Sequence, residues 1–217
     1  MNPARSLEWR RRRLRDAVLY GILDTGYLAG RDPLSVVRPM LKGGVDIVQI
    51  RAKSSTASEA ARLARQVAPA VREAGALLIL NDFPSATTEA EADGVHIGQD
   101  DGSVAGARAA AGEDRLVGKS THSLEQAVAA EKEGADYIGV GPLFATPTKP
   151  DYVPVGLPLV AQVKARVGIP QFCIGGVKLE NLEAVKAAGA DRIVVVSGIL
   201  QAADISAYCR ALRQNFF

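Results

Sequence analysis

The chain of 217 residues carries 26 basic against 24 acidic side chains, a net charge of +2, so no global field directs it toward nucleic acid. Hydrophobic residues make up 47% and aromatics only 5%, a balance that suits small side chains packing helices closely on strands within one domain. Cys173 and Cys209 lie far apart without a Cys-x-x-Cys motif, and the longest apolar runs are strand-sized, which argues against a disulfide framework, a cysteine-built zinc site and a transmembrane span.

The opening segment "RSLEWRRRRLRD" places Arg10 to Arg13 and Arg15 in one block, without the apolar stretch of a signal peptide. A cytoplasmic location is therefore expected. The block reads as a solvated leading helix over residues 1–17, with Leu7, Trp9 and Leu14 turned inward. A nucleic-acid or membrane contact is the competing reading, but Trp9 is the only aromatic interleaved with the arginines. Val18 to Leu23 is then a first strand. "PLSVVRPMLKGG" is helical and closes on Gly43-Gly44 as a C-cap. "VDIVQIRAK" is a second strand, Glu59 to Ala74 a long helix ending at Gly75, and "ALLILND" a third strand.

From there a repeat emerges. "GGVDIVQI", "EADGVHIG", "EGADYIGVG" and "AGADRIVVV" each run from small residues through an aspartate into a short apolar strand. The aspartates Asp46, Asp93, Asp136 and Asp191 are 47, 43 and 55 residues apart, about twice a minimal βα unit, which marks every second strand. The odd strands fall between, in "LYGIL", "LLIL", "RLVGKS" and "PQFCIG", separated by helices such as "SLEQAVAAEKEG" and "KLENLEAVKAAG". Eight near-continuous apolar strands alternating with helices predict a (β/α)8 TIM barrel, a single domain over residues 1–217 with a short N-terminal helical extension. A doubly wound open sheet is the rival, but no Gly-x-Gly-x-x-Gly follows the first strand.

In a barrel the chemistry sits at the C-terminal strand ends. Strand 2 ends in Gln49, Arg51 and Lys53, alternate residues that share a face and make an anion cradle at the mouth. Read blandly, they are an exposed basic strand end. Strand 3 ends in Asn81-Asp82 and strand 4 leads to Asp100-Asp101. Asp82 and Asp101, from neighbouring strands, could share a hard cation such as Mg2+, or each could be the N-cap of a following helix. Strand 5 ends in "GKSTHS", with Ser120 and His122. The loop after strand 6, "GPLFATPTKPDY", carries Thr146, Thr148 and Lys149; the competing reading takes its Pro142, Pro147 and Pro150 as turn stiffeners alone. Gly175-Gly176 after strand 7 and Val196-Ser197-Gly198 after strand 8 match a backbone phosphate site, the alternative being turn geometry. Two anion-binding regions at one mouth point to two phosphorylated groups bound face to face. His96, in mid-strand, reads as a structural hydrogen-bonding residue, and His122 as a candidate general base.

Taken together, "QIRAK", "ND", "GVHIGQDD", "GKSTHS", "GADYIGVGPLFATPTK", "IGGV" and "VVVSGI", in this order from about Leu19 to Leu200, resemble the thiamine-phosphate synthase family. The resemblance implies a transferase that couples an aminopyrimidine methyl diphosphate with a thiazole phosphate, giving thiamine phosphate and diphosphate. It implies that Gln49, Arg51, Lys53 and Asn81 hold the pyrimidine diphosphate and that Asp82 and Asp101 bind Mg2+. Ser120 and Lys149 would contact the pyrimidine substrate and its diphosphate, while Thr146, Thr148, Gly176, Val196 and Ser197 would seat the thiazole phosphate. Arg51, Ser120 and Lys149 are the expected catalytic groups. Diphosphate would depart first, leaving a pyrimidine methylene cation for the thiazole nitrogen to capture. The expected partners are these small molecules, with no nucleic acid and no membrane, and a homo-oligomer is compatible with the reading. Lys119 departs from the usual aliphatic residue and would add a cation at the end of strand 5. Two other readings stay open: a related barrel that tautomerises the thiazole phosphate with His122 as base, and a non-enzymatic ligand-binding regulator.

Overall fold

The computed structural model describes residues 5–146 and 153–216, and these form a closed parallel barrel of eight strands in sequence order. The strands are β1 (Leu19–Asp24), β2 (Ile47–Arg51), β3 (Leu77–Asn81), β4 (Gly94–Ile97), β5 (Leu116–Thr121), β6 (Tyr137–Val140), β7 (Gln171–Cys173) and β8 (Ile193–Val195). Closure comes from β1 pairing with β8, Leu19 beside Ile193. A leading helix α1 (Leu7–Asp16) precedes the barrel, and α2 (Pro33–Lys42), α3 (Ala57–Glu73), α4 (Val104–Ala111), α5 (Leu124–Lys132), α6 (Pro158–Lys164), α7 (Leu182–Ala187), a single turn α8 (Ser197–Leu200) and α9 (Ile205–Phe216) surround it.

Local sequence explains the boundaries. Thr56 and Glu59 form a reciprocal capping box that starts α3 two residues ahead of the expected Glu59. Gly43 closes α2 by donating to the Pro39 carbonyl. Alternate strand residues divide into two shells. Tyr20, Ile47, Leu77, Ile79, Leu116, Tyr137 and Phe172 fill the barrel interior, while residues such as Val48, Leu78, Val117 and Ile138 pack outward on the helices. Among the described residues no helix is long and apolar enough to cross a membrane.

The repeated aspartates sit at the opposite end from the mouth, each ahead of an even strand. Asp46 Oδ2 accepts from the Val18 and Leu19 amides at 3.0 Å each, Asp93 Oδ2 from Leu78 at 3.0 Å, and Asp136 Oδ2 from Val117 at 2.9 Å. Each carboxylate thus satisfies a backbone amide at or next to the start of a neighbouring odd strand, while the backbone carbonyls of Asp46 and Asp93 accept the Leu77 and Leu116 amides. Asp191 departs from this and pairs with Lys164 at 2.9 Å.

The N-terminal arginines are not simply solvated. Arg10 is 5% exposed, with its guanidinium 3.2 Å from both Asp93 and Asp114. Arg5 reaches Asp93 at 2.6 Å, Arg11 reaches Asp136 at 2.9 Å, and Arg13 donates to the Gly75 carbonyl at 2.9 Å. Leu14 and Ala17 close the apolar floor beneath Tyr20 and Leu116. The helix faces the barrel base with charge as well as with apolar side chains.

Candidate active site

A cavity opens at the C-terminal strand ends and gathers residues from around the ring. Gln49, Arg51, Lys53, Asn81, Asp82, Asp101, Ser120, Thr146, Gly176, Val196 and Ser197 all line it. Thr148 and Lys149 lie outside the described residues. The strand-end reading therefore brings one set of groups from β2 to β5 against another from β6 to β8 across a single space.

The charged groups on the β2–β4 side are paired, contrary to a cradle of bare cations. Arg51 forms an ion pair with Asp24, at the end of β1, and Lys53 forms one with Asp82. Asp24 is 6% exposed and also accepts the Gly26 amide at 2.9 Å, so it is fixed before it meets Arg51. The sequence reading missed Asp24, although an aspartate closing "GILD" at a strand end was the available signal. Neither Asp82 nor Asp101 is a helix N-cap: α4 is capped by Ser103, and Phe83 precedes the turn after β3. Asp82 instead adopts a left-handed backbone at φ 66°, a costly conformation for a residue with a Cβ. Asp101 Oδ2 accepts the Gly98 amide at 2.7 Å.

Burial lifts the Asp82 carboxyl above its usual range; the nearby Lys53 ammonium opposes that shift, and Asp101 adds to it. Two neighbouring carboxylates that disfavour each other's charge, beside a ligand-sized opening, fit a hard divalent cation. Among the described residues, no group of three or more His, Cys, Asp or Glu side chains is assembled to hold a metal. A cation here would complete its shell with water and substrate oxygens, which is how Mg2+ commonly binds beside phosphates.

A buried polar chain crosses the barrel beneath the mouth. Gln49, 3% exposed, donates through Nε2 to the Tyr20 hydroxyl at 2.7 Å. The Tyr20 and Tyr137 hydroxyls are 3.2 Å apart, Tyr137 is 3.2 Å from His96 Nδ1, and His96 Nε2 is 3.0 Å from Ser120 Oγ. Burial pushes the pKa of both phenols up, so they remain protonated donors. Phe172 meets both rings nearly edge-on, at 5.5 and 5.6 Å. Gly118 makes room for this arrangement, because a Cβ there would lie 2.1 Å from the Tyr137 ring. Tyr20 and Tyr137 fall within expected strands, and nothing local in the sequence reveals that their hydroxyls meet.

Lys119 does not add a cation to the mouth. Ser120 faces the cavity, so strand alternation turns Lys119 outward, where it pairs with Glu133 at 3.1 Å. His122 lines the cavity with its Nδ1 on the Gly141 carbonyl and its amide donating to Gln126 Oε1 at 2.7 Å. On the far side Gly175 and Gly176 have φ of 97° and 67°, conformations natural to glycine, and Asn181 Nδ2 donates to the Gly176 carbonyl at 2.9 Å.

The sequence profile of the family described as thiamine monophosphate synthase matches residues 19–199. The thiamine-phosphate synthase of Chloroflexus aurantiacus is 40% identical over 214 residues, 98% of this chain and 95% of that protein. Its counterpart in Syntrophomonas wolfei subsp. wolfei is 41% identical over 200 residues, 92% of this chain and 96% of its own. Among solved structures, the thiamine phosphate pyrophosphorylase from Pyrococcus furiosus matches with a TM-score of 0.84 at 32% identity, over 94% of this chain and 96% of that one.

Proposed function

Because the chain belongs to the thiamine monophosphate synthase family, we propose that its barrel mouth divides the coupling reaction between two anion-binding sides. The chain is a transferase of thiamine biosynthesis that joins an aminopyrimidine methyl diphosphate to thiazole phosphate, giving thiamine phosphate and diphosphate. In the proposed division, Gln49, Arg51, Lys53 and Asn81 bind the pyrimidine diphosphate, and Thr146, Thr148, Gly176, Val196 and Ser197 seat the thiazole phosphate. Ser120 and Lys149 stand by the pyrimidine and its diphosphate. One observation carries this reading: the paired carboxylates and cations of β2–β4 and the glycine turn after β7 face each other across one cavity.

The bond from the methylene carbon to the diphosphate oxygen breaks with its electron pair going to the diphosphate. The resulting pyrimidine methylene cation is captured by the thiazole nitrogen, which forms the new C–N bond. Arg51 and Lys149 offset charge growing on the leaving diphosphate, and such preorganised charges contribute mainly in the transition state. The Ser120 hydroxyl holds the pyrimidine substrate in place for capture. Asp82 and Asp101 would hold Mg2+, which when bound supplies charge neutralisation for diphosphate oxygens. A cytoplasmic location without a nucleic-acid partner accompanies this reading, supported by the near-neutral net charge and by the engagement of Arg5, Arg10, Arg11 and Arg13 at the barrel base.

A two-substrate assay of diphosphate release tests the division. Arg51→Ala and Lys53→Ala should cripple coupling while thiazole phosphate, titrated alone by calorimetry, binds nearly as before. Equal loss of both substrates in these variants would overturn it.

A further inference from the structure

Lys119 is only 7% exposed although it turns away from the cavity. Its Nζ donates to Glu133 Oε2 at 3.1 Å and to the Gly102 carbonyl at 3.4 Å. Glu133 caps the C-terminus of α5, and the same Oε2 accepts the amide of Val104, the first residue of α4, at 3.4 Å. A buried ammonium is costly unless it is paired and hydrogen-bonded. Here its partners are a carboxylate and the loop of residues 98–103 that follows β4.

That loop carries Asp101 and is held at both ends. At the near end Gln99 Nε2 donates to the Ser120 carbonyl, and the Gly98 amide donates to Asp101 Oδ2 at 2.7 Å. At the far end Lys119 holds the Gly102 carbonyl and Glu133 holds the Val104 amide. Adjacent residues of β5 thus anchor both ends: Ser120 through its carbonyl, Lys119 through its side chain. We propose that Lys119, together with Glu133, is a positioning residue for coupling, fixing the loop after β4 so that Asp101 stands beside Asp82 where the diphosphate's cation binds. The inference rests on the metal role proposed above for Asp101. A lysine that served the fold alone would lower stability without a selective effect on this loop or on Mg2+.

The test compares Lys119→Met, Lys119→Arg and Asp101→Asn with the parent protein. It reads backbone hydrogen exchange without ligands, the Mg2+ concentration for half-maximal coupling, and thiazole phosphate binding by calorimetry. Lys119→Met is expected to speed exchange at residues 98–104 selectively and to raise the Mg2+ requirement by up to about tenfold, no more than the low end for losing a direct partner of a metal ligand, because Lys119 holds Gly102 rather than the Asp101 carboxylate. Thiazole phosphate affinity should not change, and Lys119→Arg should restore both other readouts. Parent-like exchange at residues 98–104 in Lys119→Met overturns the clamp, whatever Asp101 does. A parent-like Mg2+ requirement in Lys119→Met, when Asp101→Asn has a raised one, overturns its positioning role. If Asp101→Asn itself keeps the parent requirement, the metal reading of Asp101 fails, and the loop anchor is judged on exchange alone. Should Lys119→Met not fold, Glu133→Gln removes the partner's charge from a partly exposed position and is judged by the same readouts.

Discussion

His96 Nε2 lies 3.0 Å from Ser120 Oγ, the last link of the buried chain that starts at Gln49. Only the first link has a fixed direction: an amide nitrogen only donates, so the Tyr20 hydroxyl accepts from Gln49. From there the Tyr137 hydroxyl, the two ring nitrogens of His96 and the Ser120 hydroxyl follow in line, so the serine at the mouth is tied through His96 to the buried phenols. Tyr137→Phe removes one link without emptying the barrel. It is expected to lower kcat/KM about tenfold, equivalent to about 1.4 kcal/mol for one buried neutral hydrogen bond. His96→Ala should cost a similar amount, and the double variant should lose far less than the sum. Strictly additive losses would show that the links do not act as a unit.

Much of this architecture was legible because its signals are local. The repeat of small residue, aspartate and apolar strand survives in the sequence because Asp46, Asp93 and Asp136 each satisfy amides of the strand next door. Gln49, Asn81, Asp82 and Ser120 could be nominated because a strand-end position fixes which way a side chain faces. Partnerships were not legible. Arg51 meets Asp24 across the β1–β2 pair and Lys53 meets Asp82 just beyond the β2–β3 pair, contacts 27 residues or more apart that no short window encodes. The arginines of α1 looked solvated because their acidic partners are 83 to 125 residues further along the chain. Lys119 was misread by proximity to the strand end, where the alternation that points Ser120 inward sends its neighbour out.

At the barrel base, Asp93 holds Arg5, Arg10 and the Leu78 amide at once, with its side chain only 4% exposed. Asp93→Ala would leave Arg5 on backbone carbonyls alone, Arg10 on Asp114 alone, and the Leu78 amide without its acceptor. A loss of about 3–5 kcal/mol is expected, the usual cost of breaking a buried pair from one side. Urea denaturation measures it. Because the site lies at the other end of the barrel, kcat of the folded fraction should stay near the parent value.

Tyr20 and Tyr137 give the fold an alkaline limit. Burial raises both phenol pKa values above the unfolded value of about 10. The folded state therefore retains protons that the unfolded chain loses. This contribution is fully present below about pH 10 and declines as pH rises above it, by up to about 1.4 kcal/mol per pH unit for each tyrosine. Tyr137→Phe should remove its own share of that slope, up to about 1.4 kcal/mol per pH unit, read from denaturation midpoints across alkaline pH. An unchanged slope would mean that Tyr137 ionises normally in the folded protein.

The Asp82–Asp101 pair makes a prediction about metal. Asp82→Ala and Asp101→Ala should each lower turnover and weaken its dependence on Mg2+, whereas the parent protein should lose activity in chelator and regain it on adding Mg2+. Removing either of the two carboxylates should also lower Mg2+-dependent binding of the pyrimidine diphosphate, measured by calorimetry without turnover. Full activity of both variants in excess chelator would sink the metal assignment.

The glycine turn after β7 separates the two halves of the site most cleanly. Gly176 has φ 67°, and a Cβ there would meet Phe144 Cβ at 2.7 Å and the Ala145 carbonyl oxygen at 2.9 Å. Gly176→Ala therefore strains its own backbone and pushes on the segment leading to Thr146. The left-handed conformation alone costs an alanine about 1–2 kcal/mol, enough to weaken an ordered seat about tenfold if the strain falls on it. Gly175→Ala is the poorer probe, since its Cβ would strike the Pro142 Cα at 2.4 Å and disturb the backbone itself. Gly176→Ala should lower thiazole phosphate affinity by about tenfold and leave Mg2+-dependent binding of the pyrimidine diphosphate within about twofold, because Lys53, Asp82 and Asp101 are on the other wall. Calorimetry with each substrate alone gives both numbers. If the two affinities fall together, the seats are not independent, and the division of the mouth into two anion-binding sides is wrong.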